Sequence, residues 1–232
     1  MTAEGTWKRL FPVRFRHLKD RSSFTRWHWI SFQYRRPTHD ARRESCHVFE
    51  DTIIREGELH ERERSRLLEP ILFASATAAA AAGLSLALVR PIESRFTFLP
   101  KKRSLIDAER DAYKHVARQS SFLDKELEQI EPSPYVFRFR FKDKDGVHSY
   151  QSGDWETHAM FWKWRESYGE ASALKRMSEV YNDEYPKRGM AFAIGNQAKR
   201  PQVWQLLGVL RLDVEHQFDM FRGSPHASRG GA

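Results

Sequence analysis

Between Glu69 and Arg90 the chain runs for twenty residues without a charge, and eight of them are alanine. A run like this has to be buried, in lipid or in protein, so it constrains the fold more than any other stretch. As a helix, residues 71–89 would span about 28 Å, close to the hydrocarbon thickness of a bilayer. Ile71, Leu72, Phe73, Leu84, Leu86, Leu88 and Val89 favour insertion by roughly 2–4 kcal/mol, and Ser75, Thr77, Gly83 and Ser85 oppose it. A globular surface helix would show a polar stripe, and none is present here. The segment 70–90 therefore predicts a single transmembrane helix. Ser75, Ala79, Gly83 and Ala87 lie four residues apart, a row of small side chains expected to form a helix-docking face. The competing expectation is a helix buried in protein, since alanine is also the best helix former in water.

What flanks this segment is basic and aromatic. The net charge of +8 and a pI near 9.7 imply an acidic partner such as nucleic acid or an anionic lipid surface. The single cysteine, Cys46, excludes an intramolecular disulfide and makes a cysteine-based metal site untenable within the chain. Residues 1–36 hold nine Lys or Arg against Glu4 and Asp20. That bias resembles a mitochondrial targeting segment; the other reading is a basic arm that binds something acidic.

Residues 1–48 are expected to form an extended basic aromatic arm. In "FTRWHWISFQYRRP" no helical or strand period fits all of Phe24, Trp27, Trp29, Phe32 and Tyr34, and so aromatic a segment needs a cover. Trp27, Trp29, Phe32 and Tyr34 are the expected partner-contact residues. Residues 49–69 predict an exposed charged helix, supported by the pairs Glu58–Arg62 and Glu63–Arg66.

Residues 91–221 predict an α+β domain. Helices are expected over 105–119 and 122–130. Phe137, Phe139 and Phe141 alternate with Arg138, Arg140 and Lys142, the pattern of a half-buried strand. Asp145-Gly146 turns it into a hairpin with Val147–Gln151. An aromatic helix follows, capped by Asp154 and stopped near Gly169, and another runs on to Pro186. Val203, Leu206, Leu207, Leu210, Val214 and Phe218 fall at helical spacing, with a strand as the rival. Residues 222–232 read as a flexible tail. The expected fold class is thus α+β and mostly helical: a basic arm, one transmembrane helix, and a C-terminal domain of helices and a β-hairpin.

Catalytic signatures are missing. No nucleotide-binding, nucleophile-elbow or zinc-protease motif occurs. Cys46, His47, Glu50, His60 and Glu61 match no standard metal spacing. Asp154, Glu156 and His158 on one helix offer an acid–base pair in principle, but capping and packing explain them more simply. No enzyme activity, cofactor, metal or small-molecule substrate is expected. Arg138 and Arg140 resemble a single-strand-binding sheet, yet their phenylalanine neighbours fall on the opposite face, so nucleic acid is not the favoured partner.

The resulting expectation is a non-catalytic accessory (supernumerary) subunit of a multi-subunit mitochondrial inner-membrane complex, such as a respiratory-chain complex or ATP synthase. It would act in assembly and stabilisation, with other subunits and membrane lipid as partners. The alternative is a mitochondrial ribosomal or other RNA-associated structural protein whose Ala-rich helix is buried in protein.

Overall fold

The structure, a computed structural model, describes residues 1–15, 18–120 and 131–214. The uncharged run is not one helix. It divides into strand β6 (Leu72–Phe73), helix α2 (Ala76–Ala81) and strand β7 (Leu86–Val89). Ser75 starts α2 by accepting from the Ala78 amide at 3.2 Å, a hydroxyl cap. Gly83 ends it at φ +71°, the left-handed geometry that glycine adopts without a Cβ penalty. The apolar residues beyond Gly83 form a strand buried on both faces, which reads in sequence as a continuous hydrophobic run.

No described helix is long and apolar enough to cross a membrane. This overturns the transmembrane helix over 70–90 and the mostly helical fold class, since helix and strand occur in nearly equal measure. It equally overturns the single-pass inner-membrane placement, and nothing supports the mitochondrial and respiratory-chain terms attached to it.

Before this segment, residues 1–70 fold rather than extend. Strands β1 (Arg9–Phe11), β2 (His28–Ser31), β3 (Tyr34–Arg35), β4 (Ser45–Val48) and β5 (Ile54–Glu58) precede helix α1 (Glu61–Leu68). They make two small sheets, β1-β4-β3 and β2-β5, with β1 parallel to β4 and the other pairs antiparallel. Alternation along β4 turns Cys46 and Val48 inward against Ile53, with Leu10, Val13, Leu18, Phe24 and Phe32 packed around them. The charged helix expected over 49–69 is shortened to α1, because residues 54–58 pair with β2.

The rest of the chain continues with β8 (Glu93–Pro100), α3 (Arg103–Ser120), β9 (Tyr135–Asp143), β10 (Gly146–Gln151), α4 (Trp155–Tyr168) and α5 (Glu170–Glu179). A π-helical turn (Val180–Glu184) then leads into α6 (Tyr185–Lys187), β11 (Met190–Gln197) and β12 (Arg200–Arg211). The two sheets are β10-β9-β8 and β12-β11-β7-β6. Phe96, Phe137, Phe139 and Phe141 line the inner face of the first and are buried. Phe139 lies 5.2 Å from the Tyr181 ring and 5.4 Å from Phe192 of β11, so aromatic rings fill the space between the sheets. Phe161 of α4 and Met177 of α5 close the same core. At Ser152 the sheets join through a bridge to Leu206, and the Gly153 amide donates to the Leu206 carbonyl at 2.9 Å.

Strand β7 sits between two clusters. Ala87 and Val89 face the aromatic core. Leu88 faces Leu68, Ala191 and Leu212, with Trp7 and Trp27 packed on them. Residues 1–70 therefore cover the outer face of the four-stranded sheet.

The expected helix over residues 203–218 is corrected to β12 for the described part. The register steps from Ala193↔Gly208 to Ile194↔Leu206, leaving Leu207 as an extra residue, a bulge that breaks strict alternation and mimics a helical period. The helix expected over 122–130 and the tail over 222–232 lie outside the described residues.

Candidate functional site

Two charged surfaces stand out, and they differ in whether their charges are already matched. The first is a cleft of about 350 Å³ at the seam between residues 1–70 and the rest of the chain, lined in part by Arg26, Trp27, Arg64, Glu156, Tyr185 and Arg211. Arg26, in the turn before β2, lies 3.4 Å from Asp154 and 2.8 Å from Glu156 and donates to the Val209 carbonyl at 2.7 Å. Arg64 of α1 reaches Asp213 at 2.6 Å. Arg188 and Arg211 also meet Asp213, and both return to Glu61 of α1.

Four guanidiniums thus face four carboxylates, a match in number that still leaves Arg64 Nε and Asp213 Oδ1 buried without hydrogen-bond partners among the described residues. Trp27 and Asp213 both hold φ in the left-handed region, +76° and +54°. A bulky residue adopts that conformation only when its surroundings enforce it. Here the Arg64 guanidinium sits 4.4 Å from the centre of the Trp27 ring. Burial holds the His158 imidazole below its ordinary range. What this geometry does is latch two regions together.

The acid–base pair that α4 offers in sequence is not assembled. Asp154 caps α4, accepting from the Glu156 amide at 3.0 Å, and also accepts from the Val209 amide at 3.0 Å. His158 Nε2 lies 3.4 Å from the Ser152 carbonyl oxygen instead. Among the described residues no group of three or more His, Cys, Asp or Glu is placed to hold a metal. Burial pushes the Cys46 thiol up, away from the reactive thiolate.

The second surface is the outer face of the sheet β10-β9-β8. Because Phe96 and the Phe137–Phe139–Phe141 row point inward, the residues between them point out. Register places Arg95 directly opposite Arg140, with Ser149 on the other side. Arg138 lies between Thr97 and Gln151, and Lys142 between Glu93 and Val147. Among the described residues none of Arg95, Arg138, Arg140 or Lys142 makes an ion pair. The Arg138 Nε is buried and has no hydrogen-bond partner. Like charges directly opposite across a ladder destabilise a sheet, so this face carries a cost that packing does not explain.

The residues expected to contact partners are dispersed. Ser75 caps α2, Ala79 is inside it, Gly83 turns out of it and Ala87 lies in β7, so the four share no helix face. Trp27 lines the seam, Trp29 pairs with Gly57 in β2-β5, and Phe32 packs on the Cys46–Val48 cluster. Tyr34 alone of that group is exposed, with Lys8 Nζ 5.4 Å from its ring centre. Sequence reasoning met Arg138, Arg140 and Lys142 but not Arg95, which only the strand register brings to them. It had no signal for Arg26, Arg64 and Asp213, whose mutual approach depends on contacts more than a hundred residues apart.

Fold and site define a mixed α/β protein in which an N-terminal β region closes over a two-sheet aromatic core, and in which Arg95, Arg140 and Lys142 are exposed on a basic sheet face among the described residues. The chain belongs to the family described as a domain of unknown function, DUF8757, whose sequence model matches residues 71–224. Residues 1–70 match a second description, domain of unknown function DUF8758, so the seam lies where the two meet. No curated protein and no solved structure matches the chain.

Proposed function

We propose that this protein is a non-catalytic nucleic-acid-binding structural protein that grips the phosphate backbone with the open face of β8, β9 and β10. The observation that carries the reading is the set of four cations that make no ion pair among the described residues, with Arg95 set against Arg140 in register and only Lys142 facing a carboxylate, Glu93. A phosphate between two guanidiniums relieves their repulsion and accepts from both. The net charge of +8 adds a long-range attraction for a polyanion. With no aromatic side chain among the outward residues of this face, the binding is directed at the backbone rather than at base sequence.

Anisotropy titrations of a labelled RNA at 50 and 200 mM salt test it. Four phosphate contacts predict a loss in affinity of about a hundredfold over that range. The double variant Arg95→Glu/Arg140→Glu is expected to bind at least tenfold more weakly. Affinity that is insensitive to salt, or equal in this variant and the wild type, would sink the proposal.

A second reading has its own observation. Leu99 and Val147 on the same face are 56% and 59% exposed. Apolar side chains among cations also suit an acidic protein subunit. In that case the face would make the protein an accessory component of a larger assembly, and the charge-reversed variant would lose a co-purifying protein while keeping its affinity for RNA.

A further inference from the structure

The sheet β1-β4-β3 has an outward face of different character. Cys46 and Val48 of β4 are buried, so alternation turns His47 outward, and Phe49 continues on the same side. Register sets Phe11 on one flank of His47 and Arg35 on the other. Phe11 is 72% exposed and Phe49 is 41% exposed, and the Phe49 ring centre lies 6.2 Å from that of His47. Arg35 makes no ion pair among the described residues. Two exposed phenylalanine rings, a half-buried imidazole set edge-on to Phe49, and a guanidinium without an ion pair among the described residues therefore share one face.

We infer that this face is a stacking platform for unpaired bases of single-stranded nucleic acid, with Phe11, His47 and Phe49 under the bases and Arg35 at the backbone. The inference rests on the nucleic-acid reading of the basic sheet and deepens it by naming the strandedness of the partner. Base faces are hidden inside a duplex and accessible only where strands are unpaired, and stacking on aromatic rings is tolerant of sequence. Leaving phenylalanine rings in water is unfavourable, and a base that covers them removes that cost. Complementarity of charge favours this occupant over an apolar peptide: residues 1–36 hold nine Lys or Arg and two acids. The combination that the row Phe137–Phe141 lacks, aromatics and a cation on one exposed face, is present here.

The test compares labelled twelve-nucleotide oligouridylate with an RNA duplex of the same length, at one salt concentration, for the wild type, Phe11→Ala/Phe49→Ala and Phe11→Tyr. The alanine pair is expected to weaken the single strand about thirtyfold or more, the lower end for two lost stacking contacts, and to leave the duplex unchanged. Phe11→Tyr keeps a ring and is expected to keep the affinity. All the substituted side chains are exposed, and matching thermal melts would show that folding is intact. Equal losses for both RNAs, or no loss for either, would overturn the stacking platform while leaving the basic sheet standing. Loss of self-association with unchanged RNA affinity would overturn it in favour of a protein contact. A wild type that binds neither RNA would bring down both proposals.

Discussion

Arg64 and Asp213 meet at 2.6 Å with Asp213 almost completely buried, and they come from opposite sides of the boundary between the two matched families. Asp213 also holds Arg188 and Arg211. One carboxylate thus joins α1 to the residues after β12 and pairs with three guanidiniums, two of which Glu61 also meets.

Replacing Asp213 by Asn removes that charge without changing the side chain's size. Breaking a buried pair by deleting one partner typically costs about 3–5 kcal/mol, because the other charge is left unmatched. Urea denaturation should show a loss in that range for Asp213→Asn. A smaller loss is expected for Arg64→Met, which leaves Asp213 paired with the two remaining arginines.

Arg95 separates stability from binding. Arg95→Thr removes the like-charge opposition to Arg140 and places a good strand former in β8, so the melting transition should move upward by about 0.2–1 kcal/mol of stability. The same change should weaken RNA binding and lower the salt slope by about one. A variant that lost stability and kept its slope would mean that Arg95 serves the fold rather than a ligand.

Gly83 distinguishes a turn from a helix interior by the sign of one substitution. Its φ of +71° disfavours any Cβ, so Gly83→Ala should destabilise by about 1–2 kcal/mol. In a continuous helix the same change would stabilise by about 1 kcal/mol. No atom lies within 4 Å of the position a Cβ would take, so a loss reports backbone conformation and not crowding. Thermal or chemical denaturation of the single variant decides it.

His158 should make stability depend on pH. It is held below its ordinary value by burial, against the Phe137 ring at 5.3 Å, with Lys101, Glu109 and Asp154 as the nearby charges. The imidazolium is therefore favoured in the unfolded chain. The stability contribution is fully present above the unfolded value of about 6.5 and is lost as the pH falls through the lower folded value. Melting temperatures at pH 7.5, 6.0 and 5.0 should drop more steeply for the wild type than for His158→Gln.

Some elements were written locally and could be read locally. The hairpin after Asp143, whose turn is Lys144-Asp145 rather than the expected Asp145-Gly146, the cap at Asp154, the stop at Gly169 and the inward Phe137–Phe141 row each rest on neighbours in sequence, where turn chemistry and period decide the outcome. The helix read as 105–119 appears as α3, and its apolar spacing is again local information. Three of the four cations of the basic sheet face, Arg138, Arg140 and Lys142, were legible for the same reason.

The uncharged run shows where sequence stops. Its composition pointed to burial of the whole run, but only part of it is buried: Leu86–Val89 are enclosed, while Ala74, Thr77 and residues 80–83 are exposed. A lone alanine-rich segment favours a helix, but Leu86–Val89 gain more as a strand, because β6 and β11 satisfy their backbone groups and two separate clusters bury their alternate side chains. Those partners lie before the run at Leu68 and far beyond it at residues 190–212, so only the tertiary fold supplies them. The opposition of Arg95 to Arg140, the row Phe11–His47–Arg35 and the latch on Asp213 have the same origin. Each is set by strand register or by long-range packing, and neither leaves a period that a single sequence displays.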